Sequence, residues 1–144
     1  MIAVDTNILV HAHRAESAWH VPADRCLTQL AESGDDWAIP WPCVHEFLST
    51  ATHPRIFKEP SPPRVALDQV RAWMEAPSLT LLGETPAYWD VFEQVVGAAQ
   101  ATGPLVHDAR VAALCLTHGV EELWTADRDF SRFRGLRVRN PLIE

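Results

Sequence analysis

Short apolar runs alternate with longer helical patterns along nearly the whole chain, and this alternation limits the possible folds most strongly. Runs of three or four apolar residues indicate strands, and the segments between them repeat apolar residues at helical spacing. Strands that alternate with helices form parallel sheets joined by right-handed crossovers. We therefore expect an α/β protein with a central parallel sheet of four to five strands flanked by helices. A length of 144 residues suits a single domain, residues 1–144.

The pattern assigns most of the chain to particular strands and helices. The predicted strands cover residues 2–4, 37–39, 79–82, 123–125 and 136–138. The predicted helices cover residues 7–14, 21–32, 42–52, 63–75, 86–101 and 107–118. Gly119 is expected to end the last helix. The segment 54–63 contains four prolines and is expected to be a loop.

The charge and composition exclude several classes of protein. The formal net charge of −7 argues against a protein that coats nucleic acid through bulk positive charge. It is compatible with a nuclease, because a bound metal ion reverses the local charge of a carboxylate cluster. No apolar run approaches the roughly 20 residues of a membrane span, and the start does not resemble a signal peptide. The three cysteines are far apart in the sequence and are expected to be reduced. Together, these features predict a cytoplasmic protein.

Acidic residues fall where predicted strands end and helices begin, the edge at which open α/β sheets bind ligands. Asp5 ends the first strand, and Asp127 follows the fourth, with Asp129 two residues further on. Asp108 opens the last helix, and Glu46 lies one turn into the helix after the second strand. Each acid alone could be a helix cap or a solvated side chain. Together they would repel one another, so such a group normally holds a cation, and oxygen ligands favour Mg²⁺ or Mn²⁺.

Four motifs in order resemble those of PIN-domain ribonucleases. They are I-A-V-D-T-N-I-L-V at the start, P-W-P-C-V-H-E-F, V-H-D-A-R-V-A-A-L and L-W-T-A-D-R-D-F, and they span nearly the whole chain. The short length and the segment H-P-R-I-F resemble VapC-type toxins of toxin–antitoxin systems in particular. The resemblance implies a three-layer α/β/α PIN domain that hydrolyses phosphodiester bonds in RNA.

Carried over position by position, the resemblance implies a set of site residues. The catalytic and metal-binding acids would be Asp5, Glu46, Asp108 and Asp127, with Asp129 as a further ligand or a supporting acid. Thr6 and Asn7 would orient Asp5, and Thr125 would hydrogen-bond within the site. The ion would be Mg²⁺, with Mn²⁺ as a substitute. Candidate contacts with RNA phosphates are Arg55, Lys58, Arg110 and Arg128.

The resemblance also implies partners. They are the RNA substrate, a VapB-type antitoxin whose C-terminal arm covers the active-site groove, and a second copy of the chain in a homodimer that assembles further with the antitoxin. No membrane partner is expected. The negative charge fits a basic segment of the antitoxin.

Two other functions remain open at the level of the sequence. A haloacid-dehalogenase-type phosphatase also has an Asp after its first strand, but it needs a second Asp where Asn7 stands. A non-catalytic PIN-fold binding module would have no need of all four acids. His45 and His107 are assigned no role, and the six tryptophans are expected mostly in the core, with some at an interface.

Overall fold

The computed structural model describes residues 1–143, in which five strands form one sheet. The strands are β1 (Ile2–Val4), β2 (Trp37–Pro40), β3 (Leu79–Leu82), β4 (Glu122–Trp124) and β5 (Arg137–Arg139). Their order across the sheet is β3-β2-β1-β4-β5, and every neighbouring pair is parallel. The expectation of a parallel sheet of four to five strands is confirmed.

Six α-helices cover this sheet. They are α1 (Thr6–His13), α2 (His20–Glu32), α3 (Trp41–Ala51), α4 (Pro63–Met74), α5 (Tyr88–Ala99) and α6 (Leu105–Thr117). Right-handed crossovers place α1 to α4 on one face of the sheet and α5 and α6 on the other. The contacts of α1 with α2 and α3, and of α5 with α6, agree with these three layers. None of the helices within residues 1–143 has the length and apolar character needed to cross a bilayer.

The direction of the chain across the sheet reverses between β1 and β4. From β1 the chain proceeds to β2 and β3 on one side, and it then returns to β4 on the other side. Such a reversal leaves a crevice beyond the carboxyl ends of the two strands, where ligands of open α/β sheets bind. The Asp5 amide donates to the Trp124 carbonyl at 3.0 Å, which joins the two strand ends at this crevice.

The core reaches up to the crevice from both faces of the sheet. Ala3 and Val4 are fully buried, and all four residues of β2 are buried, as expected for central parallel strands with helices on both sides. Phe47 of α3 and Phe130, beyond β4, are among the largest fully buried side chains. The ends of β1, β2 and β4 are therefore set on rigid, packed backbone.

The structure differs from the expected boundaries by one or two residues in several elements, among them α5, which covers Tyr88–Ala99 and not 86–101. Helix α6 begins at Leu105 because Pro104, with φ −59°, already has a helical backbone angle, so Asp108 lies in the first turn. Strand β4 ends at Trp124, which leaves Thr125 in the loop that follows. Two short 3₁₀ helices were not predicted, Arg128–Arg132 and Pro141–Ile143. The proline-rich segment between α3 and α4 is a loop, as expected.

Gly119 ends helix α6 as the sequence predicts. Its φ of +69° lies in the left-handed region, which glycine adopts without steric cost. The amides of Gly119 and Val120 donate to the carbonyls of Leu116 and Cys115 at 3.3 and 2.9 Å. This is the Schellman pattern, which pairs the last helical carbonyls and turns the chain into β4.

Candidate metal centre

Asp5 lies at the centre of the crevice and is held there from several sides. It is the first residue after β1 and is only 6% exposed. Its Oδ2 atom accepts hydrogen bonds from Thr125 Oγ1 at 2.8 Å and Asn7 Nδ2 at 3.2 Å. Its Oδ1 atom accepts one from the Cys43 thiol at 3.4 Å. Burial raises the pKa of Asp5, and the hydrogen bond from Thr125 partly offsets this rise.

Asn7 and Thr125 extend this contact into a network between the ends of β1 and β4. Asn7 Nδ2 donates to Thr125 Oγ1 at 3.0 Å, and Asn7 Oδ1 accepts from the Ala126 amide at 3.0 Å. Thr125 is 2% exposed, and its Oγ1 also accepts from the Asp127 amide at 3.0 Å. The loop after β4 is thereby fixed relative to Asp5.

Thr6 lies in the same pocket but makes a weaker contact. It is buried at the start of α1 and lines a cavity with Asp5 and Glu46. Within the described residues its hydroxyl makes no hydrogen bond of regular geometry. Burial and the charge of Asp5 raise the pKa of Glu46, and the nearby Thr6 hydroxyl opposes this rise.

Asp108, Asp127 and Asp129 converge on the other side of the crevice. One carboxylate oxygen from each lies within 4.8 Å of the other two. Asp127 caps the 3₁₀ helix that follows it, because its Oδ1 accepts from the Asp129 amide at 2.9 Å. Burial, together with the charges of Asp127 and then Asp5, raises the pKa of Asp108 to about 6.

Glu46 reaches the same crevice from α3. Partial burial and the negative charge of Asp5 raise the pKa of its carboxyl. It lines a cavity of about 210 Å³ with Asp5, Asp108 and Asp127. It also lines an adjoining cavity of about 560 Å³ with Asp108, Asp127 and Asp129. The structure therefore brings together all five acids named from the sequence.

The second cavity has basic and aromatic side chains on its wall. His45, His107 and Arg110 line it beside the acids. Arg110 is held by Glu84, whose Oε1 accepts from Arg110 Nε at 3.1 Å and from Nη2 at 2.7 Å. The placement of the two histidines could not be read from the sequence beyond their position next to Glu46 and Asp108.

The other three cations named from the sequence lie elsewhere. Arg55, Lys58 and Arg128 are exposed, and none of them lines either acidic cavity in the part of the chain that the structure describes. Arg55 and Lys58 lie in the loop that follows α3. Arg128 begins the 3₁₀ helix after Asp127.

Cys43 is the contact with Asp5 that sequence reasoning missed. It is fully buried, and burial followed by the charge of Asp5 raises the pKa of its thiol well above the ordinary value. The one available signal was its position three residues before Glu46, which places both on one side of a helix.

Cavity size by itself does not indicate this site. A larger cavity of about 700 Å³ lies beside Met1, Ile2 and the acids Asp35, Asp36 and Glu121. Met1 and Ile2 belong to the amino end of the sheet, away from the crevice. The clustering of acids, and not volume, distinguishes the carboxyl end.

The donor set of the crevice fits a divalent metal ion with a preference for oxygen. All five acids offer carboxylate oxygens, which suit Mg²⁺ and Mn²⁺ better than softer metals. Oxygens on opposite sides of one Mg²⁺ lie about 4.2 Å apart, given bonds of about 2.1 Å. Separations up to 4.8 Å among Asp108, Asp127 and Asp129 approach this value. Burial and, after it, the charges of Asp127 and Asp5 raise the pKa of Asp108, and a cation would relieve the part that comes from these charges.

Comparison with known proteins identifies similar chains over their full lengths. The PIN domain family matches residues 2–136. Ribonuclease VapC43 of Mycobacterium tuberculosis is 36% identical over 142 residues, which cover 99% of this chain and 96% of the relative. Ribonuclease VapC48 of the same organism is 31% identical over 137 residues, covering 95% and 94%. VapBC2 from Rickettsia felis bound to a promoter DNA fragment superimposes with a TM-score of 0.73 at 16% identity, over 97% of this chain and 98% of that chain, which shows a likeness of fold.

Proposed function

The chain belongs to the PIN domain family, and on that premise we propose that it is a magnesium-dependent endoribonuclease, the toxic component of a toxin–antitoxin module. The observation that carries the proposal is the convergence of Asp5, Glu46, Asp108 and Asp127 on one crevice. Relatives that match over nearly their whole length are named ribonucleases. We further propose that residues 1–144 are one PIN domain and that it acts in the cytoplasm, where its RNA substrate lies.

We propose that these four acids are the catalytic residues and metal ligands, with Asp129 as a fifth ligand or a support for them. The ion is Mg²⁺, and Mn²⁺, which has the same preference for oxygen, substitutes for it. When bound, the metal lowers the pKa of a water molecule and neutralises charge on the scissile phosphate.

The remaining residues of the site orient these acids and hold RNA. Thr125 and Asn7 fix the direction of the Asp5 carboxylate through their hydrogen bonds, and Thr6 lines the cavity beside Asp5 and Glu46. Arg110, placed on the cavity wall by Glu84, contacts a phosphate of the RNA backbone. The exposed cations outside the cavity extend this contact along the strand; they are Arg55, Lys58 and Arg128.

Two other functions have less support. Membership of the PIN family disfavours a haloacid-dehalogenase-type phosphatase, and Asn7 hydrogen-bonds to Asp5 where that enzyme needs a second Asp. A non-catalytic binding module would gain nothing from several carboxylates gathered in one crevice, where burial and the charges of the neighbouring acids raise the pKa of Asp108.

Purified protein should cleave single-stranded RNA with magnesium and should stop when the metal is chelated. Manganese should restore cleavage after chelation, because the carboxylate ligands accept either ion. Gel analysis of an end-labelled RNA measures this, with p-nitrophenyl phosphate as the control substrate for a phosphatase. Cleavage that continues in excess chelator, or hydrolysis of the monoester alone, would contradict the proposed function.

Co-expression with the product of a neighbouring antitoxin gene should yield a complex with an even number of copies of this chain. The net charge of −7 and the acidic crevice favour a basic arm from the antitoxin, placed near the carboxylates. Native mass spectrometry measures the stoichiometry, and the free chain should appear as a homodimer. A chain that stays monomeric and unbound beside that product would refute the proposed assembly.

A further inference from the structure

The two carboxylate oxygens of Asp5 have different surroundings. Oδ2 accepts from Thr125 and Asn7, whose own remaining hydrogen bonds belong to the network between β1 and β4. Oδ1 accepts from a side chain of a different element, the Cys43 thiol at 3.4 Å, and both groups are buried. The contact at Oδ1 therefore comes from α3, whereas those at Oδ2 come from the network between β1 and β4.

Helix α3 carries a second group of the same site. Cys43 is its third residue, and Glu46, three positions later, lies on the same side of the helix. Asp5 and Glu46 are close enough for the charge of Asp5 to raise the pKa of Glu46. One thiol thus links Asp5 at the end of β1 to the helix that presents Glu46.

We propose that Cys43 is a positioning residue for the metal centre: its S–H bond to Asp5 Oδ1 holds that oxygen in its ligand direction and keeps Glu46 beside it. The inference rests on the proposed function, in which Asp5 and Glu46 bind magnesium. Residues that hydrogen-bond to metal ligands typically change metal affinity or activity by about 10–100-fold when they are replaced. A thiol is a weak donor, so we place the effect near the lower end, about tenfold.

Three substitutions separate this hydrogen bond from packing. Cys43→Ser keeps a donor, whereas Cys43→Val and Cys43→Ala remove it, with volumes respectively above and below that of cysteine. Cys26 provides the control, because it is also buried but belongs to α2, which carries none of the five acids of the site. Cys26→Ser introduces the same hydroxyl at a position with no role in holding Asp5 in this proposal.

Isothermal titration with MgCl₂ alone, on the full-length protein, measures the magnesium Kd of each variant, and the comparison of serine with the donor-less variants separates the hydrogen bond from packing. We expect Cys43→Val and Cys43→Ala to raise the magnesium Kd by about tenfold. Cys43→Ser should stay within about twofold of wild type, as should Cys26→Ser. Circular dichroism checks that each variant is folded, and the alanine variant serves if valine does not fit.

Equal magnesium Kd values for the serine variant and the donor-less variants would overturn the inference, because Cys43 would then act through packing alone. A tenfold difference in Kd in a protein that cleaves no RNA would support the inference while overturning the proposed nuclease function. The two can therefore fail separately.

Discussion

Replacement of Asp108 by asparagine should reduce magnesium-dependent RNA cleavage by about 100- to 1,000-fold in a protein that remains folded. The carboxylate lies within 4.8 Å of those of Asp127 and Asp129, and an amide keeps the shape of the side chain but removes its charge. A metal ion contributes several kcal/mol to stabilising a phosphodiester transition state, and each 1.36 kcal/mol corresponds to a factor of ten in rate. Single-turnover cleavage of a labelled RNA at saturating magnesium measures the loss.

The same loss is expected for the matching amide substitutions at the other acids, Asp5→Asn, Glu46→Gln and Asp127→Asn. Asp68→Asn provides the matched control, since Asp68 is an exposed acid on α4 that pairs with Arg64. It should cleave at the rate of wild type. Cleavage at the wild-type rate by a folded Asp5→Asn protein would contradict the assignment of the site.

Asp108→Asn should also stabilise the metal-free protein, by about 1–2 kcal/mol at neutral pH. Burial and the neighbouring acids raise the pKa of Asp108 to about 6 in the folded state. A shift of about two pH units corresponds to about 3 kcal/mol, and solvent screening at a partly exposed site reduces this. The asparagine has no charge to repel, so its melting temperature should be higher by roughly 2–8 °C.

The pH dependence of this stabilisation follows from the direction of the shift. The folded state binds the proton of Asp108 more tightly than the unfolded state does. The contribution of Asp108 to the free energy of unfolding is therefore favourable below about pH 4. It is lost as the pH rises through about 6. The gain from Asp108→Asn should therefore be full at pH 7.5 and vanish near pH 4.

Melting curves of wild type and Asp108→Asn, with chelator and with millimolar magnesium, test this result. Magnesium should stabilise wild type, because it binds the folded state, by about 2.7 kcal/mol at one hundred times the Kd. Asp108→Asn should gain less stability from magnesium, because it has lost one of the proposed ligands. If neither the substitution nor magnesium changes the melting temperature, the carboxylates do not share a site.

The order and type of the main elements could be predicted from the sequence. The spacing of apolar residues, and the prolines and glycines that end helices and strands, are local properties of the chain. Strands β1 and β3 have the predicted bounds, and Gly119 ends α6 through its own positive φ. The acids could be located for the same reason. The few residues around Asp5 or Asp108 are enough to identify a strand end or a first helical turn. Parallel strands then bring their carboxyl ends, and the acids that follow them, to the same edge of the sheet.

The exposure of individual large side chains could not be predicted, because it depends on which elements pack over each of them. Trp37 is 1% exposed, whereas Trp89 is 61% exposed, although both are large apolar residues. The expectation that the tryptophans lie mostly in the core was therefore wrong for three of them, namely Trp19, Trp41 and Trp89. Similarly, only packing decides that Arg110, and not Arg128, lines the acidic cavity.

The contacts that orient the site were decided by the tertiary structure alone. Thr125 and Asp5 are separated by 120 positions and Cys43 and Asp5 by 38, yet their polar atoms meet at 2.8 and 3.4 Å. Local periodicity carries no information about such pairs, because the distance between them depends on how β4 and α3 pack against β1. The sequence by itself determined which acids reach the crevice; the packing of three elements determined the direction in which Asp5 points.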